Sequence, residues 1–307
     1  MMRRSVLVTT AVTLSMLAGF TNRAGADVIL TGYIESSILR FAEDGTPLQP
    51  IVPPGGTYGV LGPAGITFSP DGSTLYVSNQ ASALVPGAPD SIVQVDATTG
   101  NVMPFITLPS GYLPAGLRFG PDGYLYVSHN GGQAAPMGSG SVDRYDPTTG
   151  AYIDSVVTNI TQPTGLVFDS AGNLYVSCYG DSTVVQFDGT NVNIFVAAGS
   201  GGLYSPSGLQ FGPDGNLYVV DLLLGAVRRY DPTGASIDDF IPAGGKLDGQ
   251  FPSDLLFDRS GQLLVANLGG SFSDPEGTIK AFDGTTGAYV DDFATGIFLA
   301  SQLLLTP

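Results

Sequence analysis

The chain has one cysteine, one histidine and no tryptophan. The lone thiol, Cys178, has no partner for an internal disulfide, so stability must come from the core even at an oxidising address. Basic residues are scarce too: 11 Lys and Arg stand against 27 Asp and Glu, a formal net charge of −16. Such a surface repels phosphate backbones and anionic lipid heads, which excludes nucleic acid and membrane surfaces as natural partners. The same charge favours solubility and resists self-association, so a monomer is expected. No apolar run reaches the roughly 20 residues needed to span a bilayer. No D-x-[DN]-x-[DN]-G calcium loop occurs either, and the many Asp-Gly pairs read as hairpin turns. What is plentiful is Gly (43) and Pro (22), alongside 43% hydrophobic residues, the balance of a turn-rich ordered chain.

The first 26 residues read as an export segment. Arg3 and Arg4 precede an apolar stretch from Ser5 to Phe20, and Ala24-Gly25-Ala26 supplies an A-x-A cleavage site before Asp27. Residues 1–26 are therefore expected to be a signal peptide, and residues 27–307 one secreted or periplasmic domain. That domain would have 8 basic and 27 acidic residues, a net charge of −19.

The remaining sequence repeats. PAGITFSPDGSTLYVSN begins at Pro63, PAGLRFGPDGYLYVSH at Pro114, PTGLVFDSAGNLYVSC at Pro163, PSGLQFGPDGNLYVVD at Pro206 and PSDLLFDRSGQLLVAN at Pro252. The spacings of 51, 49, 43 and 46 residues suit a four-stranded unit repeated around an axis. The last residues, Ala300 to Pro307, begin a sixth copy. Its second half stands at the front, where VILTGYIESSILRF (Val28–Phe41) aligns without a gap on LYVSCYGDSTVVQF (Leu174–Phe187). One unit is thus divided between the two ends, as in a ring closed by its termini.

Within the copy from Pro206, Leu209 and Phe211 alternate with Gln210, the period of a strand with one buried face. Gly212-Pro213-Asp214-Gly215 turns the chain, because tight hairpins demand positive φ. Leu217 to Val220 and Ala226 to Tyr230 supply two more strands, and Ser236 to Phe240 an exposed fourth. Six such units predict an all-β, six-bladed propeller of four-stranded antiparallel blades, its first blade built from Leu303–Leu305 and Val28 to about Val52.

The pattern P-x-G-[IL]-x-F-x-x-x-G-x-L-Y-V-[SA]-[DN] resembles the NHL-repeat and gluconolactonase-like (senescence marker protein-like) six-bladed propellers over essentially the whole mature chain. That resemblance implies the propeller fold, but its members include lactonases, esterases, lyases, ligand binders and scaffolds. It also implies metal ligands just before the inner-strand Gly. Ala64, Ala115, Thr164, Ser207, Ser253 and Ser301 stand there and supply no carboxylate. A streptogramin-lyase-like site would use several histidines, and His129 stands alone.

Candidate site residues follow from the ring. The link between the second and third strands takes 8 residues in blades one, four and five, but 15, 15 and 14 in blades two, three and six. The extra segments, 80–89, 130–140 and 269–276, would rim one side of the axial mouth, where recognition usually resides. The residues ending the second strand (Gly32, Asn79, His129, Cys178, Asp221 and Asn267) are expected to form a crown around that mouth. Asp254 and Gln302 replace an inner-strand Gly and would join it. Asn79, His129, Asn267 and Gln302 are the candidate ligand contacts, and Asp221 and Asp254 could hold a divalent cation such as Ca²⁺. His129 is a candidate general base or, alternatively, a hydrogen-bonded channel residue. Two functions remain open: an exported propeller binding a small polar ligand, glycan or protein at its irregular face, and a divergent metal-dependent hydrolase or lactonase. The missing catalytic set favours the first.

Overall fold

Alternating apolar residues and Asp-Gly turns fold each copy of the repeat into an antiparallel meander. A computed structural model describes residues 26–55, 59–130, 140–269 and 276–307. Residues 1–25, nearly all of the expected export segment, and most of the insertions at 130–140 and 269–276 lie outside the described residues. Blade one contains β1 (Val28–Gly32) and β2 (Ser37–Phe41). Blade two runs β3 (Pro63–Phe68), β4 (Thr74–Asn79), β5 (Asp90–Asp96) and β6 (Val102–Leu108). Blade three has β7 (Pro114–Phe119), β8 (Leu125–His129), β9 (Gly140–Tyr145) and β10 (Tyr152–Ile160). Blade four has β11 (Pro163–Phe168), β12 (Leu174–Cys178), β13 (Thr183–Phe187) and β14 (Val192–Val196). Blade five has β15 (Pro206–Phe211), β16 (Leu217–Asp221), β17 (Ala226–Tyr230) and β18 (Ser236–Ile241). Blade six has β19 (Pro252–Phe257), β20 (Gln262–Asn267), β21 (Glu276–Asp283) and β22 (Tyr289–Phe298), and β23 (Ala300–Leu305) returns to blade one. Among the described residues helix is confined to a single turn, α1 (Ala81–Leu84), and a 3₁₀ turn at Ser200–Gly202.

The ring closes as the split repeat predicts. β23 pairs antiparallel with β1, setting Val28 opposite Leu305 and Leu30 opposite Leu303. Asp27 N donates to Thr306 Oγ1 (2.8 Å) and Thr306 N to Asp27 O (2.9 Å), tying the seam at its outer end. Blade one differs from expectation in its fourth strand. Only isolated bridges, Ile38 to Val52 and Phe41 to Pro47, occupy that place. Pro47 and Pro50 have no N–H to give a ladder, so the segment lies along the blade without becoming a strand.

The core is divided into six apolar clusters, one at each blade-to-blade interface. The repeated Leu-Tyr and Phe supply it. Leu75, Leu125, Leu174, Leu217 and Leu263 are fully buried, each stabilising the fold by about 1.5–3 kcal/mol. Tyr76, Tyr126, Tyr175 and Tyr218 each meet the next blade's Phe119, Phe168, Phe211 or Phe257 edge to face, with centroids 4.9–5.2 Å apart. Motif spacing is therefore packing between neighbours in space, not within one unit.

Two further regularities shape the axis. A girdle of hydroxyls links every blade to the next. Ser78 donates to Ala115 O (2.7 Å), Ser128 to Thr164 O (2.7 Å), Ser177 to Ser207 O, Ser207 to Ser253 O (2.8 Å), Ser253 to Ala300 O (2.7 Å) and Ser301 to Ala64 O (3.0 Å). In blades two to four the hydroxyl sits on the second strand. In blades five, six and one, where Val220, Ala266 and Thr31 hold that place, it sits on the inner strand. All six inner ladders also carry a register shift at the mouth end, as between Pro114 and Leu117 or Pro252 and Asp254. A bulge there turns the chain away from strict alternation.

Candidate functional site

At the mouth of the ring lies a cavity of about 350 Å³. Its floor is set by how closely the inner strands approach. A Cβ added at Gly65 would lie 1.9 Å from Ala115 O, and one at Gly116 would lie 2.4 Å from Thr164 O, so these two blades admit only glycine at that level. Blades six and one depart from the rule. Asp254 reaches the neighbouring blade, where its Oδ2 accepts from Leu303 N (2.9 Å), and Gln302 Oε1 accepts from Ile66 N at the corresponding place one blade on. Both side chains are buried and both line the cavity.

The cavity wall carries one charged side chain and is more apolar than polar. Thr164, Ser207, Ser253 and Ser301 line it from the starts of the inner strands, their hydroxyls donating to carbonyls of the next blade. Tyr33, Gln80 and Asn130 contribute from the residue immediately after the second strand, with Leu222 and Leu268 in the same place on blades five and six. Tyr33 donates from its hydroxyl to Gln80 Oε1 (3.1 Å), and Gln80 Nε2 donates to Pro114 O (3.1 Å). Burial, reinforced by Asp90, pushes the Tyr33 phenol up to about 12, so it remains a donor at any physiological pH. Asn130 Oδ1 is buried without a hydrogen-bond partner among the described residues.

Asp254 is the one carboxyl among the described residues lining this cavity. Burial pushes it up to about 6, and the Arg118 guanidinium and the N–H groups of Leu303 and Leu255 offset only part of that rise. Arg118 projects from the inner strand of blade three and donates to Leu117 O (2.9 Å) and Ile66 O (3.4 Å). Its own burial draws its pKa downward, against the pull of Asp254.

The rest of the expected crown is turned elsewhere. Asn79, His129, Asp221 and Asn267 are buried, and none lines the cavity. Asn79 Oδ1 accepts from Leu61 N (3.3 Å) and its amide donates to Gly59 O (3.0 Å) and Ser91 Oγ (3.2 Å). Asp221 accepts from Tyr204 N, Ser205 N and Ser205 Oγ and pairs with Arg228 Nε at 3.0 Å. Asn267 donates to Val265 O (3.1 Å). Asn79 and Asp221 thus anchor the link that enters their own blade. Cys178 is fully buried, and burial pushes its thiol up to about 12, an inert core position.

His129 lies behind the wall. Its Nε2 is 3.3 Å from both Asp143 Oδ2 and the Tyr145 hydroxyl, Tyr112 packs edge-on against its ring, and Nδ1 has no partner among the described residues. Burial alone would raise the Asp143 carboxyl, but hydrogen bonds from His129, Ser155 and Ser141 outweigh it and hold it below its ordinary range. This is the arrangement of a hydrogen-bonded interior histidine.

Asp221 and Asp254 are not brought together, since Asp221 is engaged by Arg228 and the chain entering blade five. No group of three or more His, Cys, Asp or Glu suited to a metal occurs among the described residues. A cavity with one carboxyl, already shared with a backbone N–H and facing a guanidinium, does not fit a divalent cation, which wants several anionic oxygens. The first insertion is ordered. Asp90 accepts from Ser82 N and Oγ (2.9 Å each), Gly111 N (3.1 Å) and Leu113 N (2.9 Å), stitching α1 to the link entering blade three.

Comparison with known proteins agrees with this architecture. Residues 56–180 match the family model described as the SMP-30/gluconolactonase/LRE-like region. The resemblance read from the repeats therefore holds at sequence level across blades two to four. No curated protein sequence matches the chain. Among solved structures, a chain of a nidogen/laminin complex superposes with a TM-score of 0.69 at 16% identity, covering 92% of this chain and 99% of that one. A gluconolactonase from Xanthomonas campestris gives 0.60 at 18% identity, covering 80% of each. The periplasmic gluconolactonase of Pseudomonas aeruginosa gives 0.57 at 16% identity, covering 92% and 99%. At these identities the likeness is one of fold, shared by gluconolactonases and a chain of a nidogen/laminin complex alike.

Proposed function

We propose that the protein is an exported binding propeller that takes a small, uncharged, polyhydroxylated ligand at the axial mouth. One observation supports this reading: uncharged polar side chains from several blades line the cavity around a single carboxyl. Such a wall satisfies a ligand rich in O–H groups, each needing a donor or acceptor once desolvated. Asp254 supports the same reading. A carboxyl whose burial opposes its ionisation costs stability at neutral pH, and residues that break local rules concentrate where function requires them. The N-terminal segment supports export to the periplasm or beyond.

Calorimetry with a panel of neutral sugars, sugar lactones and sugar acids tests the proposal. Neutral polyols are expected to bind without turnover, to be insensitive to chelator and to weaken at least tenfold in Gln80→Ala. A panel without measurable heat, or binding unchanged in that variant, overturns it.

A second reading, a divergent lactonase, draws on the gluconolactonase-like match over residues 56–180 and on the position of Asp254. A carboxyl near 6 is poised to take a proton from water attacking a lactone carbonyl. Acid release from a lactone substrate, increasing as pH rises through 6 and abolished in Asp254→Asn, would establish it. Titration with Ca²⁺, Mg²⁺ and Zn²⁺, read as heat and as melting temperature, tests its metal-dependent form.

A further inference from the structure

The mouth cavity is lined by two kinds of side chain, and they fall on opposite sides of the ring. Tyr33, Gln80 and Asn130 line it from blades one, two and three. Leu222 and Leu268 line it from blades five and six, with Leu299 on the link into blade one. Blade two stands opposite blade five and blade three opposite blade six, so a polar arc faces a leucine arc across the mouth. The polar arc has hydrogen-bonding capacity to spare. Tyr33 donates to Gln80 Oε1 and its oxygen remains an acceptor, while Gln80 Nε2 uses one of its two N–H groups on Pro114 O. The leucine arc stands outside the core, since none of its three members belongs to the six apolar clusters.

On blade five the apolar surface continues out of the cavity. The link after the second strand reads Tyr33-Ile34-Glu35-Ser36 in blade one and Tyr179-Gly180-Asp181-Ser182 in blade four, each with an acid in third place. Blade five has Leu222-Leu223-Leu224-Gly225 there. Leu223 is 45% exposed and Leu224 38%. Two bonds fix the turn, Leu222 N donating to Ser205 O (2.9 Å) and Leu223 N to Ser205 Oγ (2.8 Å). Tyr204, which precedes Ser205, is 58% exposed. The strip ends at Gly225, where an added Cβ would meet Leu247 O and the Asp248 backbone. Three consecutive leucines in a surface turn break the rule that turns are polar, and such breaks concentrate where function requires them.

We propose that the ligand is an amphiphile, its uncharged polar head against Tyr33, Gln80 and Asn130 and its alkyl tail leaving the cavity over Leu222, Leu223 and Leu224. The inference rests on the reading of the mouth as a site for a polyhydroxylated ligand and adds the tail to it. The occupant follows from continuity. Leu222 belongs both to the cavity wall and to the surface turn, so one molecule spans the two. A bare polyol would set part of its hydroxyl surface against leucine, where desolvated O–H groups find no partner. An alkyl group meets the same leucines without that cost.

Calorimetry with methyl, n-hexyl and n-octyl β-D-glucosides, each below its micelle-forming concentration, tests it. Affinity is expected to rise from methyl to octyl by at least tenfold, the effect of about two buried methylene groups. Leu223→Ser combined with Leu224→Ser should keep the affinity for the methyl glucoside and lose the gain. Its melting temperature should not fall, because both side chains are exposed. Gln80→Ala should weaken all three glucosides by the same factor. Equal affinities for methyl and octyl, or no heat from the octyl glucoside, overturn the inference, while the panel of free sugars decides the polyol reading independently. A gain retained in the double leucine variant, or octyl binding that ignores Gln80→Ala, overturns it equally, because the tail or the head then lies elsewhere.

Discussion

Asp254 on blade six has its carboxyl within electrostatic reach of the Arg118 guanidinium on blade three, half a ring away. The attraction is not enough to offset burial, and the carboxyl is held up at about 6. A raised acid of this kind takes up its proton more readily in the folded chain than in the unfolded one. Its contribution to stability is therefore present at low pH and is lost as pH rises through the folded value. Asp254→Asn, which keeps an oxygen for Leu303 N, should melt higher than the parent at pH 8, by on the order of 2–3 kcal/mol. The difference should shrink below pH 6 and vanish near pH 4. Thermal melts of both proteins across pH 4–8 check this; a constant offset would show that titration of Asp254 is not its source.

Arg228 offers a different test, because its environment is closed. It pairs with buried Asp221 at 3.0 Å and also reaches Asp239 and Gly201 O. Arg228→Ala leaves Asp221 with an uncompensated interior charge and should cost about 3–5 kcal/mol. The double variant Arg228→Leu with Asp221→Asn should recover much of that loss. Denaturant unfolding of the three proteins measures it, and equal losses in the single and double variants would show that side-chain packing, not charge, is what Arg228 supplies.

Two glycines separate close approach from conformational freedom. Gly65 has a Cβ position 1.9 Å from Ala115 O, a backbone atom that cannot swing aside. Gly123 has φ +82° in an Asp-Gly turn, with open space where a Cβ would go. Gly65→Ala should cost about 3 kcal/mol or more by prising blades two and three apart, whereas Gly123→Ala should cost about 1 kcal/mol of backbone strain. Melting temperatures of the pair should differ in that order.

The seam predicts its own dependence on the last strand. Leu303 is 2% exposed and sits opposite Leu30. Leu303→Ala should cost about 3 kcal/mol. Removing residues 300–307 uncovers the edge of β1 and should abolish cooperative unfolding altogether. Circular dichroism melts decide both outcomes; a truncated chain that melts like the parent would exclude closure by β23.

Much of this architecture is legible in the sequence, since a repeat of 43–51 residues divided between the termini leaves little but a closed ring. Asp254 and Gln302 were also readable, because each replaces a glycine in an otherwise constant place. What misled was the second strand. Equivalent strand ends around a ring bring Asn79, His129, Asp221 and Asn267 toward the mouth, but the wall is formed by the residue after each, as at Gln80, Asn130, Leu222 and Leu268. Every inner ladder is bulged at that end, with the extra residue on the innermost strand. The bulge is made by two strands together, and no property of the second strand alone announces it. The missing outer strand of blade one has a plainer cause, since its prolines are visible in the sequence.

The hydroxyl girdle has a consequence for how such rings change over time. Each blade carries its own donor, on one inner strand or the other, and offers its own carbonyl, so whole blades can be exchanged without breaking the circuit. A crossover inside the innermost hairpin, by contrast, can leave a junction with no donor. Ser301 belongs to the strand that the chain delivers last, so the link from blade one to blade two is made only when synthesis is complete.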